Sequence, residues 1–550
     1  MTAVPSSSRL ARPAVGRSVC AALVAALLLP GCAGPQSAPP VAPTAESARD
    51  CLVFFDELDR VVQVAGSRDG GEFRVPGFPY LRVDRFTASF RKDVAADDRY
   101  RAWVERMRAI DAQARGFEIA NLPQEAFPIL ATPDRAQVLE REQACGSLLV
   151  ARHALEPAQR RRLPELATVP DDYSAVRRAL GLYALTGMPF AWSERQWQRH
   201  TRDLFGEVRK SPPQQNLVYH RYQPRDQAMP AANALEQART VLAAARPDAL
   251  GIPQIDEDAR EQLFEAFAPS FEIATRAEYD RFGPLQWIDL TGLVATDAER
   301  YWLDVDPSQP VVYRRLAFTR YGKSVLPQLV YTIWFSERPM QEAGDLLGGR
   351  LDGLTWRVTL DEKGLPLIYD TIQPSGRFAM FFPTARMRAR PQPQDEPLIE
   401  WAFTPIDEPI EQWAAGDGVE PGREPLAAVT LRIESQTHQL VGIGLEDEPW
   451  GNPLVRTSPY RMLDANRLRA LPLPSGGSRS IFDADGVVPN TERMARYFFW
   501  PMGIPQPGAM RQWGRQPTAF VGRRHFDDAD LFEKRFERLD PAPPRGNLAR

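Results

Sequence analysis

Apolar residues recur at helical spacing through the first half of the chain. In residues 51–65 they fall on one face of a helix, and residues 97–114 repeat the pattern. The last helical segment begins at Asp256 and stops before Pro269, as a capped helix does. The same spacing predicts further helices over residues 135–154, 172–186, 193–208, 231–245 and 256–268. The pattern therefore predicts a helical domain over residues 51–280.

From about Leu285 the apolar residues occur in short runs rich in β-branched and aromatic side chains, which is typical of strands. Because no helix separates these runs, they predict an antiparallel sheet over residues 281–475. The predicted hairpins are residues 311–336, residues 355–361 with 365–371, and residues 428–434 with 439–445, and shorter strands are predicted over 378–382 and 398–403.

Residues 476–550 form an irregular C-terminal segment that we expect to pack on this sheet, with helical patches over 491–499 and 528–539. The fold class predicted is α+β, with the helical domain first and the antiparallel sheet domain after it. Near the start of the helical domain, residues 71–83 contain Pro76-Gly77-Phe78-Pro79, which predicts a rigid loop. This loop either packs on the helices or forms a partner-binding surface.

The first fifty residues follow neither pattern. Arg9, Arg12 and Arg17 precede an apolar run over residues 19–29, which is typical of a signal peptide and too short to span a bilayer. The run ends in Leu29-Pro30-Gly31-Cys32, which resembles the lipobox of bacterial lipoprotein precursors, although Pro30 departs from the family's usual residue. The alternative is an ordinary signal peptide that happens to contain a cysteine.

The lipobox resemblance implies cleavage after residue 31 and fatty acylation, such as palmitate, on Cys32. Ala33 follows the cysteine, where an aspartate favours inner-membrane retention in enterobacterial lipoproteins. The resemblance therefore implies an outer-membrane anchor, with the body facing the periplasm. Residues 32–50 are rich in Pro and Ala and predict an extended tether between lipid and body.

The net charge narrows the possible partners of the protein. A net charge of −4 argues against nucleic acid, which favours basic surfaces, so we expect the membrane and a possible envelope protein as partners.

Once Cys20 is cleaved away and Cys32 is acylated, Cys51 and Cys145 remain. Both lie on apolar helix faces, so we predict that they form a disulfide in the oxidising periplasm. The alternative is two separate buried thiols.

The sequence contains no HExxH, CxxC, GxSxG, GxGxxG or P-loop motif, and we expect no metal and no cofactor. The main candidate for chemistry is the segment around His525, where Asp527 and Arg524 complete a set of candidate catalytic residues. Arg511, Arg515 and Arg523 could add an anion-binding surface and are close in the chain. The alternative is that Asp527 or Asp528 caps the last helix and that His525 is a packing residue.

Two weaker groups of residues also contain possible ligands. The first is Asp483-Ala484-Asp485-Gly486, which resembles a calcium loop only in part because its glycine comes early, and a solvated turn is the alternative. The second is a set of acids beside tryptophans that would suit a glycan: Glu400, Trp401, Asp407, Glu408, Glu411, Trp413, Glu446, Asp447, Glu448 and Trp450.

We found no resemblance of the body to a family of known function. Because catalytic signatures are missing, we expect a non-enzymatic binding or assembly component of the cell envelope. The alternative is a periplasmic hydrolase acting on a glycan or a phosphate-bearing substrate. A pocket that gathers His525, arginines and carboxylates would favour the enzyme, and dispersal of these residues over a flat surface would favour the binding protein.

Overall fold

The structure is a computed structural model that describes residues 47–132, 134–210, 217–225, 231–293, 300–392, 400–415, 426–427, 429–444 and 455–539. Cys32, the predicted signal peptide and most of the predicted tether lie outside these residues. The described residues form a mixed α+β fold. Within the described part of the chain, no helix is both long and apolar enough to cross a membrane.

Most of the helices predicted for the first half of the chain are present. The one predicted over residues 172–186 is divided between Ala175–Leu180 and the start of Tyr183–Lys210, and the helix Pro157–Leu166 was not predicted. Ser47 caps the first helix by accepting a hydrogen bond from the backbone N–H of Asp50, whose carboxylate accepts from Ser47 in return. The α-helices are α1 Ala48–Val64, α2 Arg85–Ala88, α3 Asp97–Ala120, α4 Arg135–Leu149, α5 Pro157–Leu166, α6 Ala175–Leu180, α7 Tyr183–Lys210, α8 Ala231–Ala244, α9 Glu257–Ala266, α10 Ile410–Ala415, α11 Arg496–Phe499 and α12 Leu531–Arg535.

The predicted hairpins are confirmed, and further strands join them. The strands are β1 Phe73–Val75, β2 Phe78–Val83, β3 Val218–Pro224, β4 Ser270–Thr275, β5 Leu285–Asp289, β6 Tyr301–Val305, β7 Val311–Tyr321, β8 Ser324–Arg338, β9 Gly349–Leu360, β10 Pro366–Ile372, β11 Met380–Pro383, β12 Met387–Ala389, β13 Thr430–Ile433, β14 Leu440–Gly444, β15 Val455–Asp464, β16 Leu471–Pro472, β17 Ser478–Arg479 and β18 Phe536–Arg538. The three predicted hairpins correspond to β7–β8, β9–β10 and β13–β14.

Ten strands form one sheet in the order β11-β10-β9-β8-β7-β15-β3-β4-β13-β14. The sheet is mixed, which differs from the antiparallel sheet predicted, because β15 pairs in parallel with both β3 and β7, and β4 pairs in parallel with β13. These strands are far apart in the chain, so local turn patterns do not show how they pair. Two of them, β3 and β4, precede residue 281.

Two large apolar clusters lie beneath these elements. One is formed by α1 to α5 and the β1–β2 hairpin, and Trp103 of α3 is fully buried in it. The other joins α8 and α9 to one face of the ten-stranded sheet, with Trp356 at its centre. The segment predicted as a loop over residues 71–83 is instead the β1–β2 hairpin. Its Phe78 and Tyr80 are buried against the helices, which agrees with the packed alternative and not with a partner-binding surface.

The C-terminal segment contains less helix than predicted. The patch predicted over residues 491–499 is helical only as α11, and the one over 528–539 contains the short α12 followed by β18. β18 pairs with β12, so the chain leaves the helix to complete a two-stranded sheet. Residues 400–403, within a predicted strand, lie outside any strand. Phe532 and Phe536 pack against Phe381 of the main sheet.

Candidate functional site

His525 lies in a turn of the C-terminal segment and is almost completely buried, with 5% of its surface exposed. Its backbone N–H donates to Asp528 Oδ2 at 2.8 Å, and residue 525 forms an isolated bridge with Pro517. The ring of Tyr173 meets the imidazole edge-on, with 5.4 Å between the ring centres. These contacts hold the imidazole in one orientation.

Carboxylates surround the imidazole. Nε2 of His525 lies 3.4 Å from Asp172 Oδ2, and Nδ1 lies 3.7 Å from Asp528 Oδ1. Burial by itself would raise the pKa of Asp172, but the hydrogen bond with His525 and the charges of Arg515 and Arg85 lower it to about 2. Asp172 is therefore a carboxylate at neutral pH and orients the histidine.

Arg85, the first residue of α2, connects this group to the helical part of the molecule. Its guanidinium lies 3.2 Å from Asp172, 3.5 Å from Asp528 and 3.8 Å from Asp527, and it also donates to the carbonyl of Gly514. The three carboxylates come from two segments more than three hundred residues apart in the chain. Arg85 is therefore the cation around which the site assembles.

The predicted helix cap at Asp527 or Asp528 is wrong. The N-cap residue of α12 is Asp530, and no side chain makes a capping hydrogen bond there. Asp528 instead accepts the hydrogen bond from His525. Burial raises the pKa of Asp528, and the neighbouring Asp527 carboxylate adds to the rise, although His525 and Arg85 oppose it. Both aspartates thus belong to the charge cluster rather than to the helix.

Arg524 lies in a different environment from His525, although the two are adjacent in the chain. Its guanidinium lies 3.1 Å from Glu400 and also donates to Thr518. Burial raises the pKa of Glu194, on α7, well above its usual range, and the Glu400 carboxylate adds to this rise. Of the candidate catalytic residues, His525 and Asp527 are therefore near each other, whereas Arg524 pairs with Glu400.

A cavity of about 420 Å³ opens beside Arg85 and Asp527, between α2, α3, β1 and β7. A second depression of about 590 Å³ shares Arg85 and continues past Asp528. We call the first cavity the cleft. Its aromatic and charged lining residues are Phe73, Phe86, Phe318 and Trp513 together with Arg85, Arg106, Arg260, Arg315, Glu72, Asp84 and Asp527.

The arginines of the cleft differ in whether a carboxylate of the protein lies close enough to form an ion pair with them. Arg85 contacts three carboxylates, and Arg260 pairs with Glu257. Arg106 stacks over Phe86 at 4.9 Å and donates to the hydroxyl of Thr87, and Arg315 donates to the side chain of Asn466. Considering the described residues alone, neither Arg106 nor Arg315 has a carboxylate within 4.0 Å. Glu72, Asp464 and Asp69 act on the charge of Arg315 from beyond that distance, so the cleft presents to a ligand the guanidinium of Arg106 and a partly compensated Arg315.

The acids of the cleft are mostly engaged by the protein itself. Asp84 accepts from the backbone of Thr87 at the start of α2. Glu72 receives two hydrogen bonds from Arg469, at 2.6 and 3.2 Å. Burial raises the pKa of Glu72, and this outweighs the opposing charge of Arg469. Asp527 differs, because its Oδ1 is buried and has no hydrogen-bond partner among the described residues.

The two weaker predicted sites have structural explanations. Asp483 Oδ1 accepts from the backbone of Asp485 and Val487 at 2.9 Å each, which makes a closed turn. In the glycan candidate, Glu411 accepts from the backbone of Ala385, and Trp401 donates to the carbonyl of Arg390. The acids and tryptophan over residues 446–450 lie outside the described residues. No cluster of three or more metal-binding side chains occurs among the residues that the structure describes.

The sequence missed the residues that complete the site. No local motif surrounds Asp172, Arg85 or Arg106 in the sequence. Only the folded structure shows that they lie beside His525 or line the cleft. Comparison with known proteins adds no assignment, because no family model, no curated protein and no solved structure matches this chain.

Proposed function

We propose that this chain is an envelope lipoprotein whose body is a non-enzymatic binding or assembly component of the periplasm. The observation that carries the proposal is the cleft, in which Arg106 and Arg315 lie among four aromatic side chains without a carboxylate partner in the described part of the chain. His525 does not line the cleft and is enclosed by carboxylates, which argues against its direct contact with a substrate.

The lining indicates the chemistry of the ligand. Guanidinium groups favour carboxylate or phosphate, and aromatic faces favour planar or weakly polar rings. An acidic sugar has both features, and Asp527 is among the polar residues that line the cleft. We therefore propose an anionic glycan as the ligand class, which agrees with a position in the cell envelope.

Replacing Arg106 by glutamine is expected to weaken binding of a uronic-acid disaccharide about tenfold or more, since a charge-assisted hydrogen bond is lost. The fold should persist, because Arg106 has no ion pair in the described part of the chain. Calorimetric titration of the full chain in detergent measures the affinity. The neutral disaccharide of the same size should bind weakly to wild type and variant alike.

The matched control is Arg101→Gln, which changes an exposed arginine on the same helix that does not line the cleft. Its affinity for the acidic disaccharide should equal that of the wild type. Equal loss in both variants would reflect general charge rather than the cleft. No binding of the acidic disaccharide by the wild type would reject the glycan proposal.

A hydrolase is the second candidate, and two carboxylates in one cleft favour it. Glu72 has a raised pKa, as a general acid needs, and the carboxylate of Asp527, which lines the same cleft, is the candidate general base. In an enzyme, Asp527→Asn would abolish the release of reducing ends from an acidic oligosaccharide while leaving its binding intact. A wild-type protein that binds but releases no reducing ends is the outcome that supports the binding protein.

The proposed location rests on Cys32. Replacing Cys32 by serine is expected to abolish lipid attachment, since serine lacks the thiol that is alkylated, and the protein should then leave the membrane fraction. Metabolic labelling with a radioactive fatty acid, followed by fractionation of inner and outer membranes, measures both effects. Cys20→Ser is the matched control and should be labelled normally. A wild-type protein without label would contradict the lipoprotein proposal.

A further inference from the structure

Three arginines lie together where β8 ends and β9 begins, away from the cleft. Arg338 is the last residue of β8 and pairs with Gly349, the first residue of β9. The side chain of Arg493 occupies the space above Gly349, where an added Cβ would overlap its Nη1. Arg377 reaches the same place, because a Cβ on Gly508 would lie 2.7 Å from Arg493 Cγ and 3.2 Å from Arg377 Nη2. We call these three residues the arginine cluster.

The arginine cluster is buried and incompletely hydrogen-bonded. Arg338 and Arg377 are each 6% exposed and Arg493 is 2% exposed. Arg338 donates through Nη1 to the carbonyl of Thr437 at 2.7 Å, and Arg493 donates through Nη2 to Leu351. Among the described residues, no partner exists for Arg338 Nε, Arg377 Nε, Arg377 Nη2 or Arg493 Nη1. Four buried donors of the arginine cluster therefore lack an acceptor in the described part of the chain.

The carboxylates of Asp352 and Asp345 raise the pKa of Arg377 and Arg493, but burial outweighs them and the pKa of both arginines is lowered. Asp352 Oδ2 lies 3.0 Å from Nδ1 of His438. Asp345 accepts hydrogen bonds from the backbone N–H groups of Gln341 and Leu347, in the loop between β8 and β9. Neither lies within 4.0 Å of an arginine of the cluster, and no other described carboxylate does. The cluster therefore has three positive charges and no ion pair in the described part of the chain.

Such an arrangement is costly without a counterion. Removing a charged group from water is strongly unfavourable unless an opposite charge and hydrogen bonds compensate. Burial lowers the pKa of Arg377 to about 9, and the charges of Arg493 and Arg338 contribute to the fall. The energetic conflict would be removed by an acceptor that accepts several N–H groups at once.

We infer that the arginine cluster binds a compact phosphate group through the guanidinium groups of Arg338, Arg377 and Arg493. A phosphate has oxygens enough for the four unsatisfied donors and a charge near −2, which three guanidinium groups match better than a carboxylate. None of the three arginines lines the cleft, so this site is independent of the proposed glycan function.

The residues around the arginine cluster are compatible with two sources of the phosphate group, free phosphate and a lipid headgroup. The loop after Arg338 and the segment after Arg493 are joined by a hydrogen bond from Ala495 to Leu346. Four large apolar side chains on these two segments are more than half exposed: Met340, Met494, Tyr497 and Phe498. Free phosphate needs only the arginines, whereas a phosphate carried on a lipid would also use this apolar rim.

The test compares the full chain in detergent, after dialysis into phosphate-free buffer, with its Arg377→Met variant. The wild type is expected to bind inorganic phosphate by calorimetry and to melt at a higher temperature when phosphate is present. Arg377→Met is expected to lose affinity about tenfold or more. Without phosphate, the variant should melt at or above the wild-type temperature, since an uncompensated buried charge has been removed.

A purely structural role for Arg377 gives the opposite sign. The variant would then melt below the wild type in phosphate-free buffer or fail to fold, and either result would overturn the proposal. Arg338→Gln is the second variant and should also lower phosphate affinity. The matched control is Arg388→Gln, an arginine whose side chain is 66% exposed, and it should change neither affinity nor melting.

Short-chain phosphatidic acid in the micelle, compared with short-chain phosphatidylcholine, distinguishes the two sources. Tighter binding of phosphatidic acid than of inorganic phosphate, lost in Arg377→Met, supports the site with a lipid as the source. Equal binding of the two phosphates, also lost in the variant, supports the site with free phosphate as the source. Binding that is absent, or that Arg377→Met leaves unchanged, overturns the proposal.

Discussion

Replacing both Cys51 and Cys145 by alanine is expected to lower the free energy of unfolding by about 4–5 kcal/mol. The structure confirms the predicted disulfide, which joins residues 94 positions apart in the chain with 5.2 Å between their Cα atoms. The bridge connects α1 to α4, and both cysteines are buried in the same apolar cluster as Trp103. In the chain-entropy model, closing a loop of this size restricts the unfolded state and stabilises the folded state by that amount.

Denaturant unfolding followed by circular dichroism measures this loss as a lower midpoint for the transition of the helical region. A reductant should lower the midpoint of the wild type similarly and should leave the double variant unchanged. A double variant with the wild-type midpoint would show that the cluster around α1 and α4 does not depend on the bridge.

Replacing Arg82 by methionine is expected to destabilise the protein by about 3–5 kcal/mol, because it leaves buried carboxylates without their partner. Arg82 lies 3.0 Å from Asp111 and 2.8 Å from Glu118, and the three side chains are completely buried. Arg115 is also buried and pairs with Asp111 at 2.9 Å, so the group is a network rather than a single pair. Arg74 reaches Glu118 from its partly exposed edge.

The same network predicts a pH dependence with a definite sign. Burial would raise the pKa of Glu118, but the charges of Arg82, Arg74 and Arg115 outweigh it and lower the pKa below the ordinary glutamate value. The stability from this group is therefore present above the ordinary glutamate pKa and is lost as the pH falls through the lowered one. In Arg82→Met, acid unfolding should begin at a higher pH than in the wild type.

Thermal melts between neutral and acid pH measure both effects of Arg82→Met. The control is Arg388→Gln, which breaks an exposed pair with Glu537 and should lower the melting temperature far less than Arg82→Met at any pH. Equal costs for the buried and the exposed substitution would contradict the role assigned to burial in the Arg82 network.

The elements that were predicted well are those determined by neighbouring residues. The apolar face of α1 and the turn at Gly322 depend on short-range spacing, so both were visible in the sequence. The parallel pairings of β15 with β3 and β7 depend on segments far apart in the chain, and no local pattern specifies them. The β1–β2 hairpin was misread as a loop because two prolines and a glycine interrupt a short alternation.

In the candidate site, too, the residues that are neighbours in the chain were predicted and the distant ones were not. His525, Asp527 and Asp528 are near in sequence, so their association was open to prediction. Asp172 and Arg85, which hold them, come from the first third of the chain.

Sequence spacing determined the local helices and hairpins. The apolar positions of Cys51 and Cys145 predicted the disulfide, since one pairing remains once Cys20 and Cys32 are assigned to the predicted signal peptide and lipobox. Only the tertiary structure determined which charged side chains form ion pairs with each other. Arg524 pairs with Glu400 rather than with its neighbour His525, and Nε and Nη2 of Arg377 have no acceptor among the described residues. The physical reason is that periodicity specifies which face of an element is buried, whereas the partner of a buried charge depends on which distant surfaces pack together.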